Sequence, residues 1–198
     1  MADKLKIPGG ALANRPLHFF WMVDCSSSMA GDRIGAVNHA IQECIEPMRE
    51  EAAGNPNAQL YIHTLKFAWE DVEANGITDM GKALELLAGQ LSMPPMPDRA
   101  LPPVIVLLTD GYPTDDWKRP LEKLLKMPWG KKAVKVAIAI GKDAERSVLE
   151  AFTGNPEAVL DAGNPEVLTH FIKWASTVAS AVSNPTSNPM EVGDVQET

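Results

Sequence analysis

Two short apolar runs that each end in aspartate constrain the fold of this chain more than any other feature. Leu17–Asp24 reads LHFFWMVD, and Val104–Asp110 reads VIVLLTD. A run this short and this apolar is typical of a strand that is buried on both faces. Such strands occur in parallel sheets that are covered by helices, so the two runs predict an α/β domain.

Strand and helix patterns alternate along the rest of the chain. Further strands are predicted at Gln59–Phe67, Ala133–Ile140 and Ala158–Asp161, with a weaker edge strand at Ala68–Val72. Apolar residues that recur every three or four positions predict helices at Arg33–Met48, over 80–91, at Trp117–Met127, at Asp143–Phe152 and from Asn164 to Val182. The alternation predicts a doubly wound, mostly parallel central sheet flanked by helices, which is a Rossmann-like arrangement.

The composition sets the size and the class of the molecule. The chain has 198 residues, of which 45% are hydrophobic, and this suits one globular domain with a sizeable core. We expect an N-terminal extension over 1–16, the domain over 17–182 and a disordered tail over 183–198, where no apolar period continues. The net charge of −8 disfavours nucleic acid and anionic membranes as general partners.

The sequence also favours a reducing compartment. No apolar run is long enough to span a membrane, and residues 1–10 lack the apolar stretch of a secretory signal. The two cysteines, Cys25 and Cys44, form no motif with the spacing of metal ligands. Together these features predict a cytoplasmic protein.

Oxygen-bearing side chains follow the first apolar run. Asp24, Ser26 and Ser28 alternate in the segment DCSSS, and alternate side chains of an extended segment point the same way. A carboxylate and two hydroxyls directed at one point would suit Mg²⁺, Mn²⁺ or Ca²⁺, which prefer oxygen ligands. The serines could instead cap the helix that begins near Arg33. Asp110 ends the second run, and ligands of parallel sheets bind beyond the carboxyl ends of the strands.

These segments, in this order, resemble a von Willebrand factor A domain with its metal-ion-dependent adhesion site. The resemblance covers nearly the whole ordered chain, and its motifs are DxSxS, the threonine of GITDMG and the aspartate of LLTDG. It implies a protein-binding module without catalysis, whose partner supplies an acidic residue to the metal. It also implies a site for Mg²⁺, or else Mn²⁺ or Ca²⁺, made of Asp24, Ser26, Ser28, Thr78 and Asp110.

Three segments are similar to bacterial TerY-like proteins, which are encoded with tellurite-resistance genes. They are TDMGKAL from Thr78, LTDGYPTDDW from Leu108 and FIKWAS from Phe171. This resemblance implies a cytoplasmic adaptor or scaffold that works with a protein kinase and a PP2C-type phosphatase in a tellurite or chemical stress response. Glycine is usual in the family where Ser27 and Ile77 stand, and a positive φ at Ser27 would cost about 1–3 kcal/mol.

A nucleotide hydrolase is the alternative that the same residues allow. Gly76–Lys82 has the glycine and lysine spacing of a P-loop, and Asp110 could then be a magnesium-binding aspartate. However, Ala83 stands where a P-loop carries a hydroxyl, and the acidic stretch Glu70–Glu73 replaces the expected buried strand. We therefore rank a Mg²⁺-dependent NTPase or phosphohydrolase below the binding module.

Other polar residues have ordinary structural interpretations. Asp115 and Asp116 either rim the predicted site or place negative charge at the start of the helix near Trp117, where the helix dipole favours it. The four histidines are scattered along the sequence, and we expect structural roles for His18, His39, His63 and His170.

Overall fold

The computed structural model describes residues 15–55, 58–67 and 79–183, with the backbone alone for 179–183. Strands within these ranges are β1 Arg15–Asp24, β2 Ala58–Phe67, β3 Val104–Thr109, β4 Val134–Ile140 and β5 Val159–Ala162. The α-helices are α1 Asp32–Ala53, α2 Met80–Gln90, α3 Lys118–Lys126, α4 Pro128–Lys132, α5 Arg146–Thr153 and α6 Pro165–Ser183. None of the described helices is both long and apolar enough to cross a membrane.

The described strands form one sheet in the order β2-β1-β3-β4-β5, and every pair is parallel. The chain moves from β1 outward to β2 and then passes back to β3 on the other side of β1. The winding direction therefore changes between β1 and β3, which is the topological switch point where sheets of this kind bind ligands. The doubly wound α/β fold predicted from the alternating pattern is confirmed.

Helices cover both faces of the sheet, and the side chains of β1 alternate between the two layers. Phe19 and Trp21 pack in a cluster with α1 and α6, whereas Phe20 and Met22 pack in a second cluster with α2, α3 and α5. All four side chains are fully or almost fully buried. Because both faces are covered, β1 and β3 are apolar along their buried length, and polar groups collect where these strands end.

The structure differs from the predicted helix boundaries after β3. One helix was expected over Trp117–Met127, but α3 ends at Lys126 and the short α4 follows from Pro128. The residue before a proline is disfavoured in the helical conformation, and Met127 is extended with φ −69° and ψ 148°. The next helix, α5, begins at Arg146 and therefore later than the Asp143 predicted.

The start of α6 was predicted correctly. The backbone N–H of Val167 donates to Asn164 Oδ1 at 2.8 Å, as expected of an N-cap asparagine, and Pro165 is the first helical residue. Three predicted segments lie wholly or mostly outside the described residues: the edge strand at Ala68–Val72, the N-terminal extension over 1–16 and the tail over 183–198.

Candidate metal centre

Asp24 ends β1, and its side chain is fully buried at the switch point. Its Oδ1 accepts a hydrogen bond from the backbone N–H of Ser26 at 2.8 Å. Its Oδ2 accepts a hydrogen bond from Thr109 Oγ1 at 2.6 Å, and Thr109 is the last residue of the neighbouring β3. These two bonds fix the orientation of the carboxylate and stabilise a charge that burial would otherwise make costly.

Ser26 and Ser28 meet through a tight turn. Ser26 Oγ lies 3.0 Å from Ser28 Oγ, so the predicted convergence of the two hydroxyls is found. The extended geometry predicted for this segment is wrong, because Ser27–Met29 forms one turn of 3-10 helix, closed by a 3.0 Å bond from the N–H of Met29 to the carbonyl of Ser26. Neither serine caps α1, whose N-cap residue is Gly31.

Ser27 does not carry the strain that its replacement of glycine suggested. No described residue other than glycine has a positive φ, and Ser27 lies in the 3-10 turn. The left-handed conformation in this loop falls instead on Gly31, with φ 79°, where the lack of a Cβ makes it accessible.

Asp110 follows β3 directly and joins the two serines. It is 1% exposed, and its Oδ1 accepts a hydrogen bond from Ser28 Oγ at 2.8 Å. The two hydroxyls and this carboxylate therefore form one continuous hydrogen-bonded chain next to Asp24. On its other oxygen, Asp110 forms an ion pair with Arg33 in the first turn of α1.

The structure thus brings together four of the five predicted ligands at one edge of the sheet: Asp24, Ser26, Ser28 and Asp110. The fifth, Thr78, lies outside the described residues. Cys25 lies between these residues in the sequence, but its Sγ lies 3.6 Å from the carbonyl of Val23, and the residue packs against the core.

The group of oxygens fits a hard divalent cation. Asp24 and Asp110 are two buried carboxylates, and among the described contacts Arg33 supplies one full positive charge, so a net negative charge stays buried. A cation bound by oxygens would offset this charge. No three of the described His, Cys, Asp and Glu residues are grouped so as to hold a metal.

The carboxylate of Asp115 binds the start of a helix that was not predicted for it. Its two carboxylate oxygens accept hydrogen bonds from the backbone N–H groups of Gly81 at 2.9 Å and Lys82 at 3.1 Å, both in the first turn of α2. The prediction named the helix near Trp117. Asp115 and Asp116 do precede α3, which begins at Lys118, and the contact with α2 is an addition. It forms because the first N–H groups of any helix lack partners and attract an anion from wherever the fold brings one.

This cap bears on the alternative interpretation as a nucleotide hydrolase. The N–H groups of Gly81 and Lys82 belong to the glycine and lysine that would end a P-loop, and there they would face phosphate. In this structure they face the carboxylate of Asp115. A carboxylate in this position repels phosphate, so the arrangement argues against nucleotide binding at the start of α2.

The fold also joins two histidines that are far apart in the sequence. His18 Nδ1 on β1 lies 3.0 Å from His63 Nε2 on β2, and the rings are stacked. Burial lowers the pKa of both imidazoles, and the neighbouring His63 lowers the pKa of His18 further. His18 lies six positions before Asp24, toward the amino end of the sheet, so this pair is separate from the candidate metal centre.

Two residues of the centre, Thr109 and Arg33, were not predicted. Thr109 stands within the TDG motif, so its closeness to Asp110 was a usable signal. No sequence signal pointed to Arg33, because its partner Asp110 is 77 positions away.

Comparison with known proteins relates this chain to others through its fold. No family model matches the chain, and no curated protein sequence matches it. Proximal thread matrix protein 1 (PTMP1) from the mussel byssus is similar with a TM-score of 0.62 at 16% identity, over 84% of this chain and 48% of that one. A second structure of PTMP1, described as having a zinc-occupied MIDAS motif, gives a TM-score of 0.61 at 20% identity, over 85% of this chain and 46% of that one.

Two microbial proteins show the same likeness. The ArnB paralog VWA2 from Sulfolobus acidocaldarius gives a TM-score of 0.57 at 16% identity, over 81% of this chain and 45% of that one. The pilus adhesin SpaC from Lactobacillus rhamnosus GG gives a TM-score of 0.64 at 14% identity, over 87% of this chain and 31% of that one. This chain therefore spans half or less of the length of these proteins, and it has the fold of von Willebrand factor A domains.

Proposed function

We propose that this protein is a metal-dependent protein-binding module, an adaptor or scaffold and not an enzyme. One observation carries the proposal: Ser26 Oγ, Ser28 Oγ and Asp110 Oδ1 form a hydrogen-bonded chain at the switch point of the sheet. Oxygens grouped at this edge, with a buried negative charge beside them, suit a cation better than they suit a nucleophile.

The cation would be held by the residues that the resemblance to von Willebrand factor A domains implies: Asp24, Ser26, Ser28, Thr78 and Asp110. Mg²⁺ is the metal that we propose, with Mn²⁺ or Ca²⁺ as substitutes, because the donors are oxygens without sulfur or imidazole. Few of these donors carry charge, so a bound cation would remain electrophilic toward a carboxylate from a partner. The zinc-occupied MIDAS motif of PTMP1 supports the general capacity of this fold for divalent metals.

We further propose the cellular setting from the resemblance to TerY-like proteins. The partner would be a protein kinase, a PP2C-type phosphatase or both, in a cytoplasmic response to tellurite or other chemical stress. The two cysteines support a reducing compartment, since both are free, with Cys44 buried and Cys25 partly buried.

Metal titration tests the proposal directly. Isothermal calorimetry with Mg²⁺ and Mn²⁺ should show one site in the wild-type protein and no binding, or much weaker binding, in Asp110→Asn. This variant keeps the size of the side chain and removes its charge. At a metal concentration about 100-fold above the Kd, binding should add about 2.7 kcal/mol to the free energy of unfolding of the wild-type protein.

Asp98→Asn is the matched control, because Asp98 is an exposed aspartate in the loop before β3. It should bind metal as the wild-type protein does. Absence of binding to the wild-type protein at millimolar metal would overturn the proposed function, and so would equal binding by Asp110→Asn.

Incubation with ATP and with p-nitrophenyl phosphate in Mg²⁺ separates the binding module from the phosphohydrolase. A binding module should release no phosphate from either compound. Sustained turnover that Asp110→Asn abolishes would favour the enzyme.

The partner proposal needs a separate experiment. Tagged protein should recover the kinase or phosphatase from native cytoplasm in Mg²⁺ but not in EDTA, and Asp110→Asn should recover neither. Recovery of both enzymes in EDTA would contradict a metal-bridged contact.

A further inference from the structure

Arg33 lies at the rim of the candidate metal centre, where three loops meet. Its Nη1 forms an ion pair with Asp110 and lies 3.5 Å from the carbonyl oxygen of Ser28. Its Nη2 lies 3.9 Å from Asp143 Oδ2. The guanidinium is therefore held by residues from the segments that follow β1, β3 and β4.

Gly141 lies beside this guanidinium. It follows β4 directly and has φ 80°, a conformation that favours glycine. A Cβ atom at this position would lie 3.4 Å from Arg33 Nη2 and 3.6 Å from its Cζ. These are ordinary van der Waals distances, so the positive φ, and not a lack of space, favours glycine beside the guanidinium.

Arg33 keeps hydrogen-bond donors for a further anion. A guanidinium has five N–H donors, and Nη1 serves the described acceptors Asp110 and Ser28. The 3.9 Å between Nη2 and Asp143 is too long for a hydrogen bond. The side chain of Arg33 is 39% exposed, whereas that of its partner Asp110 is fully buried. Among the described residues, Nε and Nη2 of Arg33 therefore have no hydrogen-bond acceptor, and the side chain is partly exposed beside the centre.

The spacing of the centre suits a second carboxylate. Asp110 accepts a hydrogen bond from Ser28 Oγ with one oxygen and pairs with Arg33 through the other. The hydroxyls and the guanidinium are therefore separated by the width of one carboxylate group. An acidic side chain that arrives from solvent would meet the same two neighbours. On one side it would face the oxygen-lined cation position, and on the other the free donors of Arg33.

We propose that Arg33 is a specificity-determining residue that binds the acidic side chain of the partner next to the cation. This rests on the proposed function, because it assigns a residue to the recognition of the partner's carboxylate. Guanidinium groups prefer planar groups with two oxygens and a negative charge, so Arg33 selects Glu or Asp over Gln or Asn. Asp143, whose side chain is 78% exposed, competes for the same donors and repels the arriving carboxylate.

Paramagnetic relaxation with Mn²⁺ tests this proposal. The probes are a blocked pentapeptide with one central glutamate and its glutamine twin. Bound Mn²⁺ broadens the NMR signals of nearby peptide protons, so the broadening of the glutamate side-chain signals measures capture at the metal. Each protein variant is first titrated with Mn²⁺ alone, and the peptides are compared at equal metal occupancy.

The wild-type protein should broaden the glutamate peptide and not its glutamine twin. Arg33→Gln should bind the glutamate peptide at least about tenfold more weakly, which is about 1.4 kcal/mol, because it loses a charge-assisted hydrogen bond. Arg33→Lys keeps the charge but loses the planar arrangement of donors, so its affinity for the glutamate peptide should lie between those of the wild-type protein and Arg33→Gln. Asp143→Asn should bind the peptide more tightly than the wild-type protein does. Arg49→Gln is the matched control, because Arg49 is an exposed arginine near the other end of α1.

Two results would overturn the role of Arg33. In the first, Arg33→Gln captures the glutamate peptide as the wild-type protein does at equal Mn²⁺ occupancy. In the second, Arg33→Gln no longer takes up Mn²⁺, which would make Arg33 a structural clamp on Asp110. Failure of the wild-type protein to bind Mn²⁺ is a different outcome, because it overturns the proposed function itself.

Discussion

Thr109 Oγ1 donates a 2.6 Å hydrogen bond to Asp24 Oδ2 and so connects the ends of two neighbouring strands. Both residues are almost completely buried, and they lie on β3 and β1, between which the winding of the sheet reverses. One hydroxyl therefore orients a carboxylate of the candidate metal centre without itself being one of the predicted ligands.

Thr109→Val should weaken both the fold and the metal centre. Valine keeps the shape of threonine but leaves Asp24 without one of its two hydrogen bonds, so we expect a loss of about 1–3 kcal/mol in the free energy of unfolding. Metal affinity should fall as well, because the carboxylate can rotate. Urea denaturation and calorimetry measure the two effects. Thr169→Val on the exposed side of α6 serves as control, and equal losses from both variants would contradict the role of Thr109.

Asp115→Ala should destabilise the protein while leaving most of its metal affinity. The change removes the acceptor of two N–H groups at the start of α2, and loss of a helix cap costs about 0.5–2 kcal/mol. Asp115 lies outside the hydrogen-bonded oxygens of the centre, so its effect on the metal Kd should be much smaller than that of Asp110→Asn.

Asp116→Ala is the control for Asp115→Ala, since Asp116 is the next aspartate in the chain and is exposed. Thermal unfolding should rank Asp116→Ala as the more stable variant. The reverse order would show that the carboxylate of Asp115 does not cap α2.

Two glycine-to-alanine changes should have opposite effects. A Cβ on Gly130 would lie 1.9 Å from the carbonyl oxygen of Leu124, so Gly130→Ala should force α3 and α4 apart and cost about 1–3 kcal/mol or more. A Cβ on Gly89 in α2 would meet nothing within 4 Å, and Gly89→Ala should add about 0.5–1 kcal/mol. Chemical denaturation of both variants checks the pair, and a stable Gly130→Ala would contradict the close packing of α3 on α4.

Stability should fall as the pH is lowered through the range in which free histidine titrates. Burial lowers the pKa of His18 and His63 in the folded protein, so below an ordinary pKa of about 6.5 the unfolded chain binds protons that the folded protein does not. Above that pKa the two histidines therefore make their full contribution to the free energy of unfolding. It decreases toward acid until the folded histidines also protonate.

His63→Phe should reduce this dependence on pH, because one depressed pKa is removed and the ring can still stack on Phe20. Urea midpoints between about pH 7 and about pH 5 measure it. His170→Phe on the exposed side of α6 is the matched control. An unchanged slope in His63→Phe would show that the stacked pair is not the source of the effect.

The sequence by itself determined the layers of this protein and the place of its candidate site. The runs at Leu17–Asp24 and Val104–Asp110 are apolar because both faces of their strands are covered. A strand that is buried on both faces needs apolar residues at nearly every position, so it can be recognised from its local sequence. The aspartates at their ends come together because parallel strands end at one edge of a sheet. For the same reason Asp24 and Asp110 could be placed at one edge before their contacts were known. Ser26 and Ser28 were named instead from their alternation in DCSSS and from the resemblance to von Willebrand factor A domains.

Only the tertiary structure decided which groups hold those residues in place. Arg33 pairs with a carboxylate 77 positions away, and Asp115 caps a helix that begins 35 positions earlier, so neither contact leaves a local pattern to find. The serines meet through a 3-10 turn that the alternating sequence DCSSS did not predict, because their hydroxyls can converge from more than one backbone conformation. Periodicity records which side of an element is buried, whereas ion pairs and caps depend on distances between elements that only the packed chain sets.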